Sequence, residues 1–129
     1  MRVEPTVTSR PFHESVAAGT LAYPRCRECD TWHAYPRPWC TRCLHGPLDL
    51  VAVAGVGTVY AVSVVERAVN PAFADDIPYA HVLIDLPEGF RVMAMMVTDD
   101  PRAVRAGDPV RARMPTGDGP VVYEPAPTD

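Results

Sequence analysis

Four cysteines carry the clearest chemistry in this sequence. Cys26 and Cys29 are separated by two residues, as are Cys40 and Cys43, and ten residues lie between the pairs. A Cys-x-x-Cys turn aims two thiolates at one point. Two such turns face to face supply the four tetrahedral donors that zinc prefers, at Zn–S distances of about 2.3 Å. An iron–sulfur cluster uses the same ligands, and spacing does not separate the two metals. A thioredoxin-like redox role needs a Cys pair between a strand and a helix, which neither pair has. A closed shell of Cys26, Cys29, Cys40 and Cys43 leaves no open coordination position. The expected metal is therefore a structural Zn2+ that folds a segment too small to have its own core. His33 and His45 lie close by; with four thiolates available they are expected on the surface or supporting the ligands from outside.

The surroundings of the cysteines are mixed in charge. Arg25, Arg27, Arg37 and Arg42 are opposed by Glu28 and Asp30, and a zinc tetrathiolate itself carries negative charge, so the unit is close to neutral. Trp32, Tyr35 and Trp39 interleave with the arginines. Base stacking and protein contact both use such aromatics, and packing or a protein interface is the favoured reading. The formal net charge of -4, with all 12 basic residues arginine, argues against nucleic acid, whose binders gain affinity from clustered cations.

No other constellation reads as an active site. Ser15 and Ser63 lack a nucleophile-elbow glycine pattern, and His81 sits alone in a strand-like stretch. Asp75-Asp76 and Asp99-Asp100 fall in turns, where carboxylates cap backbone amides. Met93, Met95 and Met96 are expected to fill core space, and no glycine-rich phosphate loop is present. No catalytic residue is nominated.

The elements that must position the cysteines follow from pattern. The 129 residues suit one compact domain, or a small appendage plus a domain. Pro11 to Gly19 reads as a short amphipathic helix, with Phe12 and Val16 on one face and Gly19 closing it. It is too short to stand alone and must dock. Leu21 to Pro47 forms the cysteine-bearing unit. Strand-like stretches follow at Leu48 to Val53, Gly57 to Glu66, Tyr79 to Leu86, Phe90 to Val97, Pro109 to Met114 and Val121 to Tyr123. In the second, Thr58, Tyr60, Val62 and Val64 share one face and Val59, Ala61, Ser63 and Val65 the other. Pro87-Glu88-Gly89 makes a tight hairpin, Gly117-Asp118-Gly119 another turn, and the tail from Pro125 is expected to fray. The set predicts a mainly β chain with a small barrel. No run approaches a membrane span of about 20 residues, and the first ten residues lack a secretory apolar stretch, so the expected location is cytoplasmic.

The ordered motifs add a resemblance. Leu21-x-x-x-x-Cys26-x-x-Cys29, the aromatic–proline segment Trp32 to Pro38 and Cys40-x-x-Cys43 come first. Gly55-x-Gly57-x-Val59-Tyr60, Ile77-Pro78-Tyr79, Leu86-Pro87-Glu88-Gly89 and Gly107-Asp108-Pro109-Val110 follow. From about Pro11 to Ala126 the chain resembles the zinc-ribbon plus OB-fold proteins associated with acyl-CoA metabolism, a domain of unknown function. The resemblance implies a helical segment (1–20), a rubredoxin-like zinc ribbon (21–47) and a five-stranded OB barrel (48–129). It also implies a non-catalytic accessory subunit of a thiolase-like acyl-CoA enzyme, a retro-aldolase or acyltransferase, in a heteromeric complex such as a heterotetramer. It is similar to the OB-fold part of steroid side-chain-degrading hydratase/aldolase complexes, and the small subunit would help form the CoA-thioester channel. The family's metal ligands carry over onto Cys26, Cys29, Cys40 and Cys43; no catalytic residue carries over. Two other readings compete: a single-stranded nucleic-acid binder, and a stand-alone acyl-CoA binder using Arg91, Arg111 and Arg113.

Overall fold

The computed structural model describes residues 5–44, 48–67, 70–71, 74–75, 77–115 and 120–127. His45, Asp76 and the Gly117-Asp118-Gly119 turn lie outside these. Among the described residues one α-helix, α1 (Arg10–Ala17), precedes seven strands: β1 (Ala22–Cys26), β2 (Leu48–Ala52), β3 (Val56–Val65), β4 (Tyr79–Asp85), β5 (Arg91–Met96), β6 (Pro109–Arg113) and β7 (Val122–Pro125). Pro11 lies in the first turn of α1, where its missing N–H costs nothing, and Gly19, at φ 91°, ends it.

Strands β3 to β7 close a barrel in the order β3-β4-β5-β7-β6, with β3 also pairing β6. All pairings are antiparallel except β5 with β7. This is the expected five-stranded Greek-key barrel. Its interior is filled by Val59, Ala80, Val82, Ile84, Val92, Met96, Val110 and Tyr123, and the same apolar cluster continues through Leu21 and Tyr23 to Val16 of α1. Helix, ribbon and barrel therefore share one core, which supplies the docking that an eight-residue helix requires.

Strand β2, expected in the β-rich series after the ribbon, pairs with β1 instead, from Cys26↔Leu48 to Ala22↔Ala52. A two-stranded sheet is marginal alone; this one is anchored by the cysteine turns at one end and the shared core at the other. The three following residues are each held by a different element. Val53 N–H donates to Leu21 C=O (3.0 Å), Ala54 N–H donates to the Glu88 carboxylate (3.0 Å), and Gly55 C=O accepts from Ala112 N–H (2.7 Å).

Simple alternation fails inside β3. A bulge between Val59 and Ala61 shifts the register against β4, so Val59 and Val62 both face the core and Tyr60 stands outside, 51% exposed. The Arg91 guanidinium lies over the Tyr60 ring at 3.4 Å from its centroid. Gly57 sits where β3 crosses between β4 and β6. A Cβ there would meet Ile84 Cγ2 at 2.5 Å and the Asp85 carbonyl at 2.8 Å, so only glycine fits without movement. The methionines divide by strand parity: Met96 is buried, whereas Met93 is 54% exposed, contrary to its expected core role. The tail is also held further than expected, since Pro125 ends β7 and Ala126 N–H bonds Pro109 C=O at 3.0 Å.

Candidate metal centre

The two Cys-x-x-Cys turns are built alike. Asp30 N–H donates to Cys26 C=O and Leu44 N–H to Cys40 C=O, both at 3.0 Å. Asp30 and Leu44, each one residue past the second cysteine, have φ of 61° and 62°. This left-handed residue turns the chain back after each pair, leaving the sulfurs pointing inward. Asp30 tolerates it well; for Leu44 it is a cost that the turn imposes.

All four Sγ atoms lie within 4.8 Å of one another, with Cys26 and Cys40 buried and Cys29 and Cys43 partly so. The Cys26–Cys43 and Cys29–Cys40 Sγ separations are both 3.6 Å. A disulfide would need about 2.05 Å. A tetrahedron with Zn–S bonds of about 2.3 Å has edges of about 3.8 Å, so the spacing fits a single tetrahedral ion. The Thr31 hydroxyl, 3.1 Å from Cys29 Sγ, and the Thr31 main chain hold the Cys29 thiol down to about 6. Arg42 N–H donates to Cys40 Sγ at 3.3 Å. The Thr31 contacts favour the Cys29 thiolate, the form a metal takes.

His33 is not among the converging ligands. It is 6% exposed rather than on the surface, and its main-chain N–H donates to Pro24 C=O at 2.9 Å. Burial, and then the Arg37 charge, holds its imidazole below the usual value. The expected aromatic group also divides. Tyr35 and Trp39 are about half exposed, but Trp32 turns inward to stack on Phe90 of the barrel. The arginines near the first turn are engaged: Arg27 forms a two-point pair with Asp49 of β2 (2.8 and 3.1 Å), and Arg25 approaches Asp30 at 3.7 Å and covers Trp32. Arg91 and Arg111 are likewise paired, with Asp85 and Glu124. They do not present the free cations that an exposed phosphate site would use.

Ser63 and His81 are register partners across β3 and β4 on the outer face, but no hydrogen bond joins them among the described residues. Ser15 Oγ instead donates to Thr20 C=O at 2.9 Å. Glu88 is the residue whose part was least apparent in the sequence. Read there as turn geometry, it also fastens the segment between ribbon and barrel through Ala54. A long-range contact of this kind leaves no local pattern.

Paired cysteine turns joined through a shared core to a five-stranded barrel define a zinc-ribbon/OB-fold protein. Residues 13–50 match the profile described as ChsH2, rubredoxin-like zinc ribbon domain, and residues 50–114 match ChsH2, C-terminal OB-fold domain. The chain belongs to the ChsH2 family, and its cofactor is a structural zinc.

A "Probable enoyl-CoA hydratase alpha subunit" of Thermomonospora curvata is 34% identical over 99 residues, 77% of this chain but 30% of that protein. The chain thus spans under a third of that relative. A "DUF35 domain-containing scaffold protein" of Methanothermobacter thermautotrophicus is 28% identical over 106 residues, 81% of this chain and 79% of its own length. Among solved structures, a chain of the "Ltp2-ChsH2(DUF35) aldolase" superposes with a TM-score of 0.79 at 29% identity, covering 96% of this chain and 98% of that one. A DUF35 protein of unknown function from Sulfolobus solfataricus shares the fold, with a TM-score of 0.64 at 12% identity over 93% and 86% of the two chains. Among the described residues, no helix is long and apolar enough to cross a membrane.

Proposed function

We propose that this chain is a non-catalytic scaffold subunit that docks on a thiolase-like acyl-CoA enzyme, a retro-aldolase or acyltransferase, within steroid side-chain degradation. Cys26, Cys29, Cys40 and Cys43 hold its zinc, and the larger subunit carries the catalytic residues. The observation that carries this reading is the near end-to-end superposition on a chain of the Ltp2-ChsH2 aldolase. The scaffold name of the Methanothermobacter relative supports it. The half-exposed Tyr35 and Trp39 on the ribbon suit a protein contact, where aromatics are enriched.

Co-expression with a thiolase-like protein tests the reading. A stable complex is expected, with a native mass fitting a heterotetramer and carbon–carbon cleavage of a CoA thioester seen only in the complex. Absence of co-purification, together with unchanged solubility and activity of the larger protein, would remove it.

A further inference from the structure

The small sheet of the ribbon has one apolar face left partly open. Cys26↔Leu48, Pro24↔Leu50 and Ala22↔Ala52 are register partners. Pro24, Leu48 and Leu50 therefore share a face, and Arg25, Asp49 and Val51 take the other. Pro24 is buried, but Leu50 is 38% exposed. A cavity of ≈ 240 Å³ lies over this face, walled by Pro11 and Phe12 of α1 and by residues 36–38. Trp39, the next residue, is 54% exposed.

Arg37 is the one charged residue lining the cavity among the described residues. Arg25, Arg27, Arg91, Arg102 and Arg111 each have a carboxylate partner. Arg37 and Arg42 are both exposed and have none among the described residues. Arg42 reaches Cys40 Sγ with its main chain, which leaves the guanidinium uncommitted. The Arg37 charge acts on the buried His33 imidazole, lowered by burial and then by this cation. His33 supplies no anion.

We propose that this groove and the Arg37–Arg42 edge form a docking face for an acidic segment of the partner protein, which seats one apolar side chain over Pro24 and Leu50 and pairs its carboxylates with Arg37 and Arg42. The proposal deepens the scaffold reading and rests on it for the partner's identity. Charge complementarity carries it. In a chain of net charge -4, two unanswered guanidinium groups on one short segment favour an acidic surface. Each presents the planar fork that grips a carboxylate at two points. Pro11, Pro24, Pro36 and Pro38 bring no N–H to the cavity, so its interior suits apolar surface rather than phosphate. Its volume, below the roughly 300–1,000 Å³ of cofactor-sized sites, fits a single side chain. Trp39 beside it is of the residue type that most often anchors interfaces.

Affinity of the full chain for the thiolase-like enzyme is measured by calorimetry at low and at physiological salt, with zinc content and melting checked for each variant. Trp39→Ala should weaken binding about thirty-fold or more, as loss of an interface anchor does. Arg37→Glu should weaken it about ten-fold at low salt, and by less as salt rises and screens the reversed interaction. Leu50→Glu sets a like charge beside the seat and should weaken binding by a similar factor. Arg113→Glu changes net charge equally at an exposed residue of β6 and should stay within about two-fold. With the chain's two tryptophans fluorine-labelled and the enzyme unlabelled, the Trp39 resonance should move on binding and the Trp32 resonance much less.

Unchanged affinity in folded Trp39→Ala, Arg37→Glu or Leu50→Glu, or an equal loss in Arg113→Glu, overturns the docking face and leaves the scaffold reading standing. If a variant does not fold, the fluorine measurement on wild type decides, and an unmoved Trp39 resonance overturns the face. If wild type forms no complex, the scaffold reading falls, and displayed random peptides decide the face. Acidic peptides with an apolar residue that bind wild type but not Arg37→Glu support it. No enrichment, binders insensitive to Arg37→Glu, or a Trp39 resonance moved instead by a single-stranded oligonucleotide overturns it.

Discussion

The indole of Trp32 stacks on the ring of Phe90, with centroids 5.0 Å apart and an interplanar angle of 1°. Trp32 belongs to the cysteine-bearing unit and Phe90 to the β4–β5 hairpin, so the pair joins ribbon to barrel. Arg25 covers the indole at 5.4 Å from its centroid, and Tyr23 meets Phe90 edge-on at 5.3 Å. Phe90→Ala should cost about 2–3 kcal/mol, below the roughly 3–5 kcal/mol of a fully buried aromatic truncation, because Phe90 is only partly buried. Trp32→Phe keeps a stack and should cost about 1 kcal/mol or less. Urea unfolding measures both; equal losses would mean that the stack does not hold the junction.

Zinc removal should loosen more than the ribbon, because Leu21 and Tyr23 belong to the same apolar cluster as the barrel. A strong chelator, or Cys40→Ser, should abolish bound zinc measured by elemental analysis. Either should broaden the NMR signals of β1, β2 and the β4–β5 hairpin together. Loss of metal with an unchanged spectrum would show that the ribbon folds without it.

Gly57→Ala tests the close crossing of β3. The added methyl must displace Ile84 and main chain at Asp85, and overpacking of this kind costs about 1–3 kcal/mol. Adding Ile84→Val to the variant removes one of the clashing groups and should recover part of the loss. A thermal melt of Gly57→Ala indistinguishable from wild type would contradict the contact.

Alkaline pH should destabilise the fold through two phenols. Burial, and then Tyr123, pushes the Tyr23 phenol far above its usual value, and burial chiefly raises Tyr123. With folded values above unfolded ones, the stabilisation is fully present below about pH 10 and falls as pH rises beyond it, since the unfolded chain ionises first. The slope approaches about 1.4 kcal/mol per pH unit for each fully shifted phenol. Absorbance at the phenolate band should report both ionisations together with unfolding. The Tyr23→Phe, Tyr123→Phe double variant should show a flatter stability profile between neutral and alkaline pH; an unchanged profile counts against the assignment.

The parts legible in the sequence are those encoded over a few residues. The cysteine pairs, the proline-started helix, the Gly89 hairpin and most strand centres rest on local chemistry, and each is present in the fold. Local pattern could not say where β2 would pair, because Leu48–Ala52 has the character of a barrel strand and only its anchored neighbour β1 decides otherwise. One extra residue at Tyr60 reversed the assignment of faces along the rest of β3. Trp32 and Tyr35 look alike as aromatics near cysteines, and only the position of Phe90 separates them. The Glu88–Ala54 bond spans 34 residues of chain, beyond the reach of any spacing rule.

Strand pairing within the ribbon also orders events at the ribosome. All four sulfurs emerge from the exit tunnel ahead of Leu48–Ala52, so ion capture can precede arrival of the strand that completes the small sheet. The barrel strands follow β2 in the order of synthesis, onto a platform that its metal can already organise.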